Sequence, residues 1–417
     1  MVSSWTPPGT LSSQNNKSSS FSFFLFLSPA YVSEDAAILY LESSKITEAV
    51  AAHLTEAGVT TKDYRAIFQD LAALPKPADA QSAKKILLPK TCNMALVILL
   101  ENIPTATVVS PVTLSKAIKN DVELKGIRAA HLRDGAALCK FFCWLEAQVT
   151  AGAHISETAA ADKLFSFRQQ QQNFVGLSFD TISASGPNGA IIHYRPHADT
   201  ARMITRDEVF LCDSGAQFLD GTTDVTRVFH FGNPTAHEKK CFTRVLQGHI
   251  ALDRAVFPST LTGFQLDVVA RMPLWSSGLD YRHGTGHGVG AYLNVHEGPH
   301  GIGTRISLND FALKARMTVT NEPGYYEDNH FGIRIENVLV IKPVELEHNF
   351  GGVNFLGFEH VTIVPIQQKL VDTGLLTEAE KQWMVSYHNE CWEKLRPLLA
   401  DDPETLAWLQ TQTLSPV

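Results

Sequence analysis

The stretch DSGAQFLDGTTDVTR, residues 213–227, carries three aspartates and two glycines between two strand-like runs. Its Asp220-Gly221 dipeptide favours a two-residue hairpin turn. With those two residues as the loop, position 219 faces 222 and 213 faces 228, so Asp213 and Asp224 point from the same side of the ribbon. The same register separates them by four residues along the strand, about 13 Å. One compact site therefore requires a bulge or sharp bend between them, and Gly215 is the expected place for it. Taken alone, two aspartates on a hairpin are more often solvated residues or turn caps than ligands.

Further carboxylates lie downstream. In FGIRIENV, residues 331–338, Ile333 and Ile335 alternate with Arg334 and Glu336, which puts the arginine and the glutamate on one polar face. Glu322 sits in VTNEPG directly before Pro323, where a strand must stop. Asp213, Asp224, Glu322 and Glu336 directed at one spot would repel unless a cation were bound. Such an oxygen-rich set with few histidines suits Mn²⁺ or a similar divalent ion better than a thiolate-type zinc site. Two ions roughly 3.5 to 4 Å apart can share a hydroxide and polarise a carbonyl. Between these segments runs HGTGHGVGAYLNVHEGPH, residues 283–300, with four histidines and five glycines. The pattern is not HExxH, and its glycines indicate a tight loop or short strand.

The whole chain bounds these readings. It has 417 residues, 44% hydrophobic and 19% charged, enough for two or three domains and a recessed site. A formal net charge of -8 without any Lys/Arg block argues against nucleic acid and against an anionic membrane surface. Six scattered cysteines without CxxC spacing read as reduced thiols of a cytosolic protein, and Cys139 and Cys143 as packing residues. The run FSFFLFLSPAYV at 21–32 has some likeness to a signal h-region, but its basic flank is poor and it is too short to span a bilayer; a buried strand is the preferred reading.

The composition of residues 1–20 predicts a mobile or variable start. Residues 21–109 read as a small α/β unit, in which the apolar runs at 36–41 and 94–100 alternate with helices marked by Ile46, Val50 and Leu54 and by Ile67, Phe68 and Leu71. A long helix is expected after Asn120 and Asp121, and capping boxes at Thr235 to Glu238 and Thr377 to Glu380 open two more. Residues 110–417 read as one large α+β domain.

The stretches AIIHYRP, DSGAQFLDGTTDVTR, HGTGHGVGAYLNVHEGP, TNEPGYYED and GIRIENV occur in order over about 150 residues, and together they resemble the aminopeptidase P group of the pita-bread metallopeptidases, closest to the cytosolic eukaryotic form. That resemblance implies a pita-bread catalytic domain over 110–417, preceded by a creatinase-like α/β domain. It further implies that Asp213 holds one ion, that Asp224 and Glu336 bridge two, and that His287 and Glu322 complete the second ion's shell. Glu322 also matches the proton shuttle, while His193, His283 and His296 match histidines that face the substrate. Arg334 is expected to support the carboxylates. His300 has no counterpart and reads as a hydrogen-bonded loop residue.

The implied activity is release of the N-terminal residue from peptides with proline in second position. Two divalent ions are expected, manganese first, with zinc or cobalt as alternatives. A homodimer is expected as well. A prolidase-type dipeptidase and a non-catalytic scaffold of the same fold are the alternatives. The closest forms have three domains, so the sequence is expected to lack the N-terminal one and to retain a truncated creatinase-like domain at 21–109.

Overall fold

A computed structural model describes residues 2–3, 29–75, 84–306 and 311–414 of the chain. The expected mobile start, beyond residues 2–3, and positions 21–28 of the apolar run lie outside the described residues; Ala30–Val32 of that run is a strand. Contacts cluster into two units, Met1–Leu114 and Ser115–Val417.

In the first unit Ala37–Tyr40 pairs antiparallel with Ala30–Val32 and parallel with Val59–Lys62, and Ile86–Pro89 pairs parallel with Thr105–Val108. The helix Glu48–Glu56 carries Val50 and Leu54 and is capped by the Thr47 side chain, while Ile46 precedes it. The run at 94–100 departs from the strand-like reading. Met94–Leu99 is a helix, because the Asn93 side chain accepts the Ala95 N–H and turns an apolar run into a capped turn. Tyr40, Ile67, Leu71, Leu88, Leu96 and Leu100 bury one another in a core belonging to this unit.

The second unit is built on the 30-residue helix Asp121–Thr150, opened by a capping box between Asn120 and Glu123. Its Leu138, Phe141, Phe142 and Leu145 pack beneath the strands Val209–Ser214 and Val225–His230, with Phe142 stacked on Phe229 at 4.2 Å. Both predicted capping boxes open helices, at Ala236–Asp253 and Glu378–Leu395.

Two interrupted hairpins carry the acidic residues. In the first, Phe218 pairs with Gly221 and Gln217 with Thr222, so Leu219-Asp220 forms the loop and not Asp220-Gly221. The register continues unbroken to Ser214↔Val225 and Asp213↔Thr226. Asp213 therefore faces 226 and not 228, and Asp224 lies opposite Gly215, two residues from Asp213 on the same face. That diagonal spacing is roughly 7 to 8 Å, which removes the need for an inserted bulge residue. What Gly215 does is let the ribbon change partners: Val209–Ser214 pairs with Ile182–Ser185, whereas Ala216–Phe218 pairs with Phe174–Leu177. A Cβ at Gly215 would lie 2.1 Å from both Ser178 Oγ and the Thr223 carbonyl oxygen, so the crossing tolerates only glycine.

The second hairpin repeats the device. Thr318–Asn321 pairs with Asn337–Val344 in a four-stranded sheet, and Gly324–Glu327 continues in the same register against Phe331–Arg334 as a separate ribbon. Glu322 and Glu336 face each other in the gap. A backbone bond from Glu336 N–H to the Thr226 carbonyl, 3.2 Å, ties the two hairpins together.

Candidate metal centre

The gap in each hairpin exposes carboxylates to one shared space. Ligand atoms of Asp224, His287 and Glu336 lie within 4.8 Å of one another, an arrangement able to hold a metal ion. His287 sits on the short strand Gly286–His287, which pairs with Gly301–Ile302. Its Nδ1 faces the Gly288 carbonyl at 3.0 Å, which directs Nε2 towards Asp224 Oδ2 at 3.4 Å and Glu322 Oε1 at 3.5 Å. Glu322 is held by Thr320 Oγ1, which donates to its Oε1 at 3.2 Å. Thr226 Oγ1 donates to Glu336 Oε2 at 2.7 Å.

Asp213 is the test of whether a cation fits. Arg334 Nη2 donates to its Oδ2 at 2.5 Å, while its Oδ1 is buried without a hydrogen-bond partner. A buried carboxylate oxygen left bare is costly, and a metal ion is the partner that matches this all O/N donor set. The electrostatics agree. Burial raises Asp224 to about 6, with Asp213 adding to the rise and His287 opposing it. Burial likewise raises Glu322 to about 7, and lifts Glu336 well above the carboxylate range with help from Asp224 and Glu322. Such a cluster ionises fully only with positive charge beside it. Burial pulls His287 down, but Asp224 and Glu322 outweigh it and hold the ring at about 9.

Arg334 is fully enclosed and not a surface residue. Besides Asp213 it donates to Thr226 Oγ1 at 3.2 Å and to the Tyr326 hydroxyl, which in turn meets His283 Nε2 at 2.8 Å. Tyr326 thus links the arginine to the histidine loop. His283 Nδ1 lies 2.7 Å from the Gly284 carbonyl, and burial together with Arg334 lowers the ring to about 3, which keeps it neutral. His296 stands edge-on to His287 at 4.2 Å. His193 lies near enough to both His283 and His296 to depress their protonation. His300 is apart from this group, buried, with its Nε2 bonded to the Thr318 carbonyl at 2.7 Å, in keeping with its reading as a loop residue.

Sequence reasoning missed the supports. Arg168 grips Asp134 at 2.7 and 3.0 Å, and Asp134 accepts from Thr223 beside Asp224. Asp267 and Arg271 brace the histidine loop, with Arg271 Nη2 bonding the His283 carbonyl at 2.8 Å. Arg227 donates to the Glu336 carbonyl at 2.7 Å and to Asn337 and Tyr387. The available signal was a charged residue inside an apolar helix stripe, Asp134 among them.

Paired interrupted hairpins around a carboxylate–histidine cluster define a metallopeptidase-type centre. The chain belongs to metallopeptidase family M24, whose model matches residues 125–343, with the C-terminal region of peptidase M24 over 354–415. The second unit is accordingly a pita-bread catalytic domain. A Creatinase/Prolidase N-terminal domain matches residues 24–123. This corrects the expectation that the N-terminal domain is lacking: a creatinase-like α/β domain is present, and its own buried core is the physical basis for it.

The chain is 51% identical over 388 residues to a probable Xaa-Pro aminopeptidase P of Laccaria bicolor, covering 93% of this chain and 60% of that protein. It is 39% identical to the X-prolyl aminopeptidase of Caenorhabditis elegans, a cytosolic enzyme with a di-nuclear active site, with a TM-score of 0.87 over 94% of this chain and 63% of that one. The Xaa-Pro dipeptidase of Bacillus anthracis shares the fold at 23% identity, with a TM-score of 0.63 over 82% of this chain and 88% of that one. The chain thus spans about three fifths of the length of the aminopeptidases it matches.

Proposed function

We propose that this chain is a cytosolic Xaa-Pro aminopeptidase with a dinuclear metal centre, and that residues 110–417 form its catalytic domain behind an α/β domain at 21–109. The observation that carries the reading is the Asp224–His287–Glu336 cluster beside the bare Oδ1 of Asp213. The likeness to the fungal and nematode aminopeptidases supports the Xaa-Pro specificity and the cytosolic location. Among the described residues no helix is long and apolar enough to cross a membrane.

Asp213, Asp224, His287, Glu322 and Glu336 would hold two divalent ions, manganese first. When bound, these would activate water and polarise the scissile carbonyl. Glu322 takes a proton from the attacking water and passes it to the leaving proline nitrogen, with Thr320 Oγ1 donating to its Oε1 and holding the carboxylate in place. Neutral His283 and His296 line the proline side with His193, and they bind and orient the substrate without adding charge. Arg334 keeps Asp213 in one orientation.

A homodimer is part of this reading. The helix Gly263–Trp275 exposes Phe264, Val268, Met272 and Trp275 along one stripe, an apolar face suited to a second copy. Light scattering is expected to give twice the chain mass, and Met272→Glu to give the monomer.

The deciding experiment supplies the purified chain with manganese and compares Xaa-Pro-Yaa, Xaa-Ala-Yaa and Xaa-Pro. Release of the first residue from Xaa-Pro-Yaa, with little from Xaa-Ala-Yaa, is expected. Cleavage confined to the Xaa-Pro dipeptide makes the chain a prolidase instead. No cleavage of either by folded, metal-loaded protein overturns the catalytic reading in favour of a binding module.

A further inference from the structure

The segment between residues 186 and 202 begins with a 3-10 helix, Gly186–Ala190, continues as a loop, and carries His193. Its conformation converges on one side chain that is not among the candidate metal ligands. Glu157, the first residue of the helix Glu157–Gln169, is completely buried. Its Oε1 accepts the Ser185 N–H at 2.7 Å, just before the loop. Its Oε2 accepts the Arg202 N–H at 2.9 Å, at the loop's end, and the Tyr194 hydroxyl at 2.7 Å, next to His193. Asn188 Nδ2 lies 3.1 and 3.0 Å from the two oxygens. The Glu157 N–H closes the set by donating to the Arg202 carbonyl at 3.0 Å.

All four donors to this carboxylate are neutral N–H and O–H groups, and they converge on it at the first turn of a helix. A carboxylate has acceptor sites for several donors and offers none itself, which makes it the one group able to collect both ends and the middle of a loop. Tyr194 is drawn inwards to 7% exposure, whereas His193 and Arg195 on either side are exposed. The inward pull on Tyr194 turns the preceding residue outwards, towards the space shared with His283 and His296. A second contact pins the root of the loop: a Cβ at Gly332 would lie 1.7 Å from the Gly189 carbonyl oxygen, so the loop rests directly on the strand that bears Arg334.

We propose that Glu157 is a positioning residue for substrate binding: it holds the 186–202 loop closed and, through Tyr194, sets where His193 meets the peptide. The proposal rests on the reading of His193 as substrate-facing. It requires no titration of Glu157, only its capacity to accept from four donors at once.

The test uses the full chain and two variants. Glu157→Gln replaces one acceptor oxygen by a donor facing other donors, and Tyr194→Phe removes the hydroxyl that joins Glu157, Asn188 and the Thr200 carbonyl beside His193. Hydrogen exchange is read over 185–202, metal content is measured, and KM and kcat are determined on an Xaa-Pro-Yaa peptide. Both variants should retain metal, and exchange should rise within 185–202 while the helix Asp121–Thr150 stays protected. If the loop is competent about a tenth of the time, KM rises about tenfold with kcat little changed. Unchanged exchange in the loop overturns the proposal, as does a wild-type KM with a loosened loop. Should Glu157→Gln fail to fold, Tyr194→Phe decides on the same readouts. An inactive wild-type chain would defeat the peptidase reading alone, and loop exchange would still decide whether Glu157 organises this segment.

Discussion

Arg334 binds Asp213 through one carboxylate oxygen, Nη2 to Oδ2 at 2.5 Å, and leaves the other oxygen buried and bare. The arginine thereby orients the carboxylate without using up its capacity to ligate. Arg334→Gln should lower metal affinity about 10- to 100-fold while the fold persists, as loss of a group that orients a ligand usually does. Titration calorimetry with manganese checks this, and unchanged affinity would show that Arg334 serves only charge balance.

Asp224 lies at the junction of the two hairpins, with His287 and Glu336 within ligand distance. Asp224→Asn should reduce bound metal by more than one ion per chain, because the residue is expected to contact both. Metal analysis after loading and dialysis measures it. Retention of one full equivalent would point to a non-bridging role.

Away from the cleft, His360 lies between Asp253 Oδ1 at 3.3 Å and Glu390 Oε2 at 2.9 Å, with Trp383 Nε1 on Asp253 and Lys394 on Glu390. Burial lowers the ring, but the two carboxylates outweigh it and raise it to about 9, and His360 in turn pulls Glu390 to about 2. A raised histidine stabilises the fold fully below its ordinary 6.5 and loses that contribution as pH climbs through 9; the depressed glutamate contributes above 4.5 and loses it as pH falls through 2. The melting temperature should therefore decline between pH 6.5 and 9. His360→Gln should flatten that decline, and an equal slope in both proteins would remove His360 from the account.

Phe142 joins the long helix to the strand of Phe229, both rings being fully buried. Phe142→Ala should cost about 3 to 5 kcal/mol, read as a lower denaturant midpoint. A loss under about 1 kcal/mol would mean that the helix repacks freely.

How much of this was legible varied with the range of the interaction. The helix starts at Asn120, Thr235 and Thr377 could be read because a capping box closes within four residues. The apolar run at 94–100 misled because its outcome turned on a single Asn93 cap. The hairpin of residues 213–227 was half legible. Side-chain parity placed Asp213 and Asp224 on one face, but the turn fell on Leu219-Asp220 in place of Asp220-Gly221.

The residue types and order of the carboxylates, the histidine loop and the resemblance they carry follow from the sequence alone, since each lies within a short contiguous motif. The register is a tertiary matter. Gly221 lies so close to the long helix that a Cβ there would sit 2.6 Å from Ala130, and Asp220 pairs with Arg133 from the same helix. Those contacts join residues some ninety positions apart, and they select the turn that brings the aspartates two residues from each other and not four. The creatinase-like character of the first unit was legible in its sequence, whereas its buried core, with members dispersed from Tyr40 to Leu100, is a tertiary matter. The bare oxygen of Asp213 is of the same kind: burial and the loss of hydrogen-bond partners are properties of packed neighbours, and no local pattern encodes them.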